Sequence, residues 1–165
     1  MKYRVVLPTL PTTLSEMLAM PQAALRTPQD TAALTVAALC AYPRNPAGAL
    51  EMLDFLRGPR PMSPSEKQFL KERFSTGWDY LPRSYLVGAT PQNNYTPSYP
   101  YTVELSDSFS QFAESGYHKY DVRSGGADTP RPITLRTKPS TGQWFLWEQI
   151  LMVQIRVPVS QDPWA

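Results

Sequence analysis

A chain of 165 residues with 16 Lys and Arg against 14 Asp and Glu, one Cys and one His is long enough to bury about 70% of the surface its unfolded form exposes. It can therefore fold without a metal or a disulfide. The lone Cys40 excludes an internal disulfide, and one Cys with one His cannot supply the usual nitrogen and sulfur ligands of a zinc site. The net charge of +2 is spread along the chain with no basic run, so nucleic acid is not expected; with no Gly-rich phosphate loop of the Rossmann or P-loop type in the sequence, no cofactor is expected either.

From the N-terminus, Lys2 and Arg4 precede the apolar Val5, Val6 and Leu7, but Pro8 and Pro11 break the run; it is not read as a signal peptide. The longest apolar stretch, Ala32 to Tyr42, is too short for a membrane span, so a cytoplasmic protein is expected. Eighteen prolines against eight glycines imply stiff connections, and 42% hydrophobic residues argue against disorder.

A short helix fits Thr13 to Met20. Three later helix starts carry proline at the first helical position behind a capping residue. Thr27-Pro28-Gln29-Asp30 and Ser63-Pro64-Ser65-Glu66 read as capping boxes or close variants, and Asn45-Pro46 supplies the third start. The helices run from about Pro28 to Tyr42, Pro46 to Arg57 and Pro64 to Phe74. The first is apolar on nearly every face and should be central; Gly58-Pro59 stops the second.

After Gly77 the pattern becomes short β-type runs between turn residues. Strands are expected at Tyr80 to Val87, Tyr101 to Leu105, Tyr117 to Arg123, Ile133 to Lys138 and Gln143 to Gln149, with an extension towards Val157. Ser124-Gly125-Gly126 and Ser140-Thr141-Gly142 mark turns of a meander. Gln143-Trp144-Phe145-Leu146-Trp147 is bulky on both faces, which predicts a central strand with Trp144 and Trp147 in the core. Residues 1–77 then form a mainly helical half and 78–165 a mainly β half of one domain. The class is α+β: a layer of three to four helices on a curved antiparallel sheet of four to five strands, as in cystatin-like rolls.

Few residues suggest catalysis. His118 alternates with Tyr120 on one face of its strand, with no nucleophile or acid placed beside it, and reads as structural or exposed. Cys40, among alanines and leucines, reads as a packed, inert thiol. Glu51 with Asp54, and Glu66 with Glu72, read as solvated helix faces rather than paired catalytic acids. Arg123 to Ala127 is too short for a phosphate loop; it reads as a turn, although its amides could form an anion nest.

The segment Trp78 to Tyr101 stands apart, because five of the nine tyrosines lie between Tyr80 and Tyr101, among Asn, Ser and Pro. Tyr in such a setting gives rigid contact area of the kind that recognises peptides or sugars. Asp79, Tyr80, Arg83, Tyr85 and Tyr95 are the candidate contacts. On the competing account the rings are buried, and Arg83 is held in an ion pair with Asp79 or Asp162.

Several words along the chain, Leu56-Arg57-Gly58-Pro59-Arg60-Pro61, Asp79-Tyr80-Leu81-Pro82-Arg83-Ser84-Tyr85, Gly88-Ala89-Thr90-Pro91 with Asn94-Tyr95-Thr96-Pro97, Ser124 to Asp128 with Pro130-Arg131-Pro132, Gly142 to Glu148 and Asp162-Pro163-Trp164-Ala165, resemble an uncharacterised bacterial family, a domain of unknown function. That resemblance implies a cytoplasmic bacterial protein and transfers no catalytic residue. Two readings of function follow. The first is a non-catalytic binding or protein-interaction module, a monomer or weak homodimer, that takes a protein or small ligand on residues 78–101 and the adjoining sheet. The alternative is a small cofactor-free hydrolase or isomerase with a carboxylate, Tyr and His pocket between helices and sheet.

Overall fold

The computed structural model describes residues 1–109 and 115–165. The three proline-led starts behave as local chemistry dictates. Thr27 Oγ1 accepts from the Asp30 amide ahead of α2 (Pro28–Ala41), and Asn45 Oδ1 accepts from Gly48 ahead of α3 (Pro46–Arg57). A complete Ser63/Glu66 capping box opens α4 (Pro64–Ser75). The short α1 (Leu14–Leu18) is capped by Thr13. With its alanines and leucines inaccessible almost all round, α2 is the central helix, packing on α3 and on four of the strands.

Five strands make one antiparallel sheet in the order β1-β2-β3-β4-β5. Besides β1 (Lys2–Leu7), they are β2 (Tyr101–Asp107), β3 (Tyr117–Val122), β4 (Arg131–Lys138) and β5 (Gln143–Gln149). The sheet is open, and the class is α+β, with helices first and most strands afterwards. Val5, Val103, Leu105, Tyr120, Val122, Ile133 and Leu135 turn towards α2, and alternation sends Arg4, Glu104, Asp121 and Arg136 to the other face. A single hydrophobic cluster joins residues from both halves of the chain.

Three expectations are corrected. Lys2–Leu7, to which the sequence pattern assigned no element, is the edge strand β1, paired from Lys2↔Ser106 to Leu7↔Tyr101. Tyr80 to Val87 is no strand: Pro82, with φ preset and no N–H, opens a 3₁₀ turn over Pro82–Tyr85, and only Leu86 bridges β2, at Val103. Likewise Leu151 to Val157 does not extend β5; Leu151, Met152 and Ile155 anchor an irregular segment in the core.

A fourth correction concerns β5, which is an edge strand. Trp144 is only half-buried against the core, and Trp147, beside a register shift at Thr134/Leu135, lies outside it. The edge of β5 is nevertheless covered. The Trp144 amide donates to the Leu25 carbonyl at 2.8 Å, Thr31 Oγ1 donates to the Trp144 carbonyl at 2.7 Å, and Arg60 Nη2 donates to the Trp147 carbonyl.

Candidate functional site

Three of the five tyrosines of residues 78–101 are core residues. Tyr80 is 3% exposed, Tyr85 1% and Tyr95 0%. The Tyr80 and Tyr95 rings stack at 5.3 Å between centroids. Tyr85 Oη donates to the Leu151 carbonyl, and Tyr95 Oη donates to the Arg156 carbonyl at 2.5 Å. The segment 151–156 has no sheet partner to satisfy these carbonyls, and the phenols take that part. Burial pushes the Tyr85 phenol well up, and pushes Tyr95 up to about 12.

Arg83 is half-buried, and among the described residues it forms no ion pair with Asp79 or Asp162. Its donors go to three backbone carbonyls, Nε to Tyr95 at 3.1 Å, Nη2 to Asn94 at 3.2 Å and Nη1 to Asp79 at 3.4 Å. These bonds close the loop where Asn94 and Tyr95 take positive φ. Of the five candidate contacts only Asp79 is fully exposed. Gly125 and Gly126 serve this packing too. A Cβ on Gly125 would sit 2.0 Å from the Ala89 carbonyl oxygen, and one on Gly126 would sit 2.1 Å from Tyr95 Oη. Their amides donate to the Ser84 carbonyl and Ser124 Oγ, which leaves them no anion to hold.

The structure assembles a different site, a cleft of about 410 Å³ between α3, α4 and β5. Leu53, Met62, Phe69, Leu70 and Leu146 supply its apolar surface, and Arg57, Arg60, Glu66 and Glu148 also line it. Arg57, at the end of α3, is 8% exposed. Its Nη1 is ion-paired with Glu66, and its Nε donates to the Arg60 carbonyl at 2.9 Å. Burial raises the Glu66 pKa, but the hydrogen bonds from Arg57 and Ser63, with the Arg57 charge, outweigh it and hold the carboxyl below its ordinary value.

The connection between the helices is pinned at Met62, whose amide donates to Asp54 Oδ1 at 2.8 Å, and at Gly58, with φ +60°, packed on the Phe145 ring. Arg60 and Arg136 lie over the Trp147 ring, 3.9 and 4.8 Å from its centroid. Sequence reasoning missed this site. It read Glu66 as a cap and solvated acid, and nothing local announces that Arg57 reaches back to it. The available signal was the short Gly58-to-Ser63 connection, which forces the end of one helix against the start of the next.

A wider groove of about 760 Å³ crosses the outer sheet face beside Lys2, Arg4, Glu104 and Asp128. Its Arg4 and Glu104 pair with each other and its Asp128 pairs with Arg156, and none of the charged side chains lining it is buried as Arg57 is. On the helix side of the sheet, His118 Nε2 stands 2.7 Å from Asp107 Oδ1 and its ring 4.4 Å from that of Tyr120. Tyr120 Oη donates to Gln29 Oε1 at 2.9 Å. Burial opposes ionisation of Asp107, but the hydrogen bond and charge of His118 prevail and lower its pKa. Among the described residues, no group of three or more His, Cys, Asp and Glu side chains could hold a metal ion. No helix among them is long and apolar enough to cross a membrane.

A family model described as a domain of unknown function (DUF6935) matches residues 9–159. The chain belongs to that family. No curated protein and no solved structure matches it. The DUF6935 match spans both the cleft and the tyrosine-rich segment, while β1 lies before it.

Proposed function

We propose that this DUF6935 protein is a non-catalytic binding module, and that its ligand site is the cleft between α3, α4 and β5 rather than residues 78–101. The observation that carries this reading is Arg57. A nearly buried guanidinium must be paired and hydrogen-bonded; Glu66 and the Arg60 carbonyl meet that need through Nη1 and Nε, and the same side chain lines a cleft whose volume suits a small molecule or the end of a peptide. The expected setting is the cytoplasm, where a lone unpaired cysteine is at home, and the expected state is a monomer or weak homodimer. The test is an amide and indole NMR screen of the whole chain against a fragment library at millimolar concentration. Hits should move the signals of Arg57, Glu66, Phe69 and Trp147. Hits confined to other surfaces, or none, would refute the reading.

The Asp107–His118 pair supports a second reading, the small enzyme. A histidine oriented by a carboxylate beside a tyrosine ring is a usable acid–base group. Turnover of activated esters that His118→Asn abolishes without lowering the melting temperature would favour it over the first.

A further inference from the structure

A guanidinium offers only donors, five N–H groups in a planar fork. In Arg57, Nε and Nη1 are spent on the Arg60 carbonyl and on Glu66. Among the described residues, Nη2 donates to nothing, and the side chain lines the cleft. What completes it must be an acceptor. Arg60 lines the same cleft, tethered to Arg57 through its own carbonyl and held over Trp147, with its Nη2 on the Trp147 carbonyl. Two fixed guanidinium groups thus line one cleft, Arg57 held on α4 through Glu66 and Arg60 on β5 through the Trp147 carbonyl, with Leu53, Met62, Phe69 and Leu146 as apolar lining.

The charges narrow the class further. Glu66 already neutralises Arg57, and Glu148 also lines the cleft, so a dianion such as a phosphate monoester would face two carboxylates. Arg57 and Arg60 balance Glu66 and Glu148, so a monoanion held by the guanidinium groups leaves a smaller excess of negative charge than a dianion would. A cationic ligand would meet two guanidinium groups, and the Trp147 ring that could have received it already carries Arg60. Resting on the cleft reading above, we infer that the ligand is an amphipathic monocarboxylate: its carboxylate is taken by Arg57 Nη2 beside Arg60, and its apolar body lies on Met62, Phe69 and Leu146. The carboxylate can belong to a small organic acid or to the C-terminus of a peptide, and both present the same planar acceptor.

The test is calorimetric and NMR titration of the full chain with 4-phenylbutyrate, its primary amide and 4-phenylbutylamine. Parallel titrations use an acetylated tripeptide ending in Phe with a free or an amidated C-terminus. The free acid, the free-ended peptide or both should bind in the cleft about tenfold or more tightly than the matching amide, and whichever acid binds more tightly identifies the source. The amine should not bind. Arg60→Gln, at the mouth of the cleft, should bring the ratio of acid to amide affinity close to one, and it keeps the test alive if Arg57→Met fails to fold. Equal binding of acid and amide in the cleft would overturn the carboxylate inference and leave the cleft reading standing. The inference also falls if library fragments bind in the cleft but neither carboxylate does. A screen with no hits, or with hits that avoid the cleft altogether, would remove the reading beneath it.

Discussion

Replacing Tyr85 with Phe tests whether the tyrosine-rich segment is core or contact surface. The ring is 1% exposed and its hydroxyl donates to the Leu151 carbonyl. The variant keeps the ring's burial but orphans that carbonyl, at a cost of about 1–3 kcal/mol at neutral pH. For a chain of this size that is a fall of roughly 2–4 °C in Tm per kcal/mol. The pH dependence adds an independent check. The folded pKa of Tyr85 is raised by burial; for a phenol this means that its contribution is fully present below the unfolded value near 10 and is lost as pH rises towards the folded one. Each pH unit in that interval removes about 1.4 kcal/mol from the wild type that Tyr85→Phe does not lose. Urea unfolding followed by circular dichroism at pH 7 and near pH 11 should therefore give a gap that narrows by about 1 kcal/mol. A variant as stable as the wild type at pH 7, or a gap that does not change at high pH, would refute the core assignment.

Glu66→Gln should destabilise by about 1–3 kcal/mol, less than breaking a fully buried pair because the Glu66 side chain is 43% exposed. Since its folded pKa is lowered, its contribution is present above the ordinary carboxylate range and is lost as pH falls through the folded value, so melts should converge in acid; a gap that is constant with pH would count against the ion pair. Cys40 should react slowly with an aromatic disulfide reagent at pH 8 until denaturant is added, because burial pushes its thiol up to about 12; stoichiometric labelling of the native protein within the mixing time would contradict this. Trp144→Ala should cost roughly 2–4 kcal/mol and Trp147→Ala roughly 1–2 kcal/mol, the first losing core packing and the second chiefly guanidinium–ring contacts. The reverse order in chemical denaturation would mean the sheet edge is misassigned.

How legible each part was depended on the range of the interactions that decide it. Proline at the first helical position, a hydroxyl or amide cap before it and, ahead of α4, an acid two residues after it act within one turn, and so Pro46–Arg57 and the capping box at Ser63 could be read from the sequence alone. Bulky aromatic and apolar residues between turn residues marked Gln143–Gln149 in the same way. By themselves, the residues determined the α+β class, the central place of the apolar helix α2 and the absence of an internal disulfide. Three matters were decided only in three dimensions. Lys2–Leu7 became a strand because β2, nearly a hundred residues later, supplies its ladder, and strand order, invisible to pattern, left Trp147 at an edge. A tyrosine suits surface and core alike; Tyr85 and Tyr95 were drawn inward by carbonyls of the irregular segment 151–156, which had no other buried partners. Arg57 met Glu66 because the short connection folds α3 back on α4, and the cleft they line exists only once β5 closes its third side.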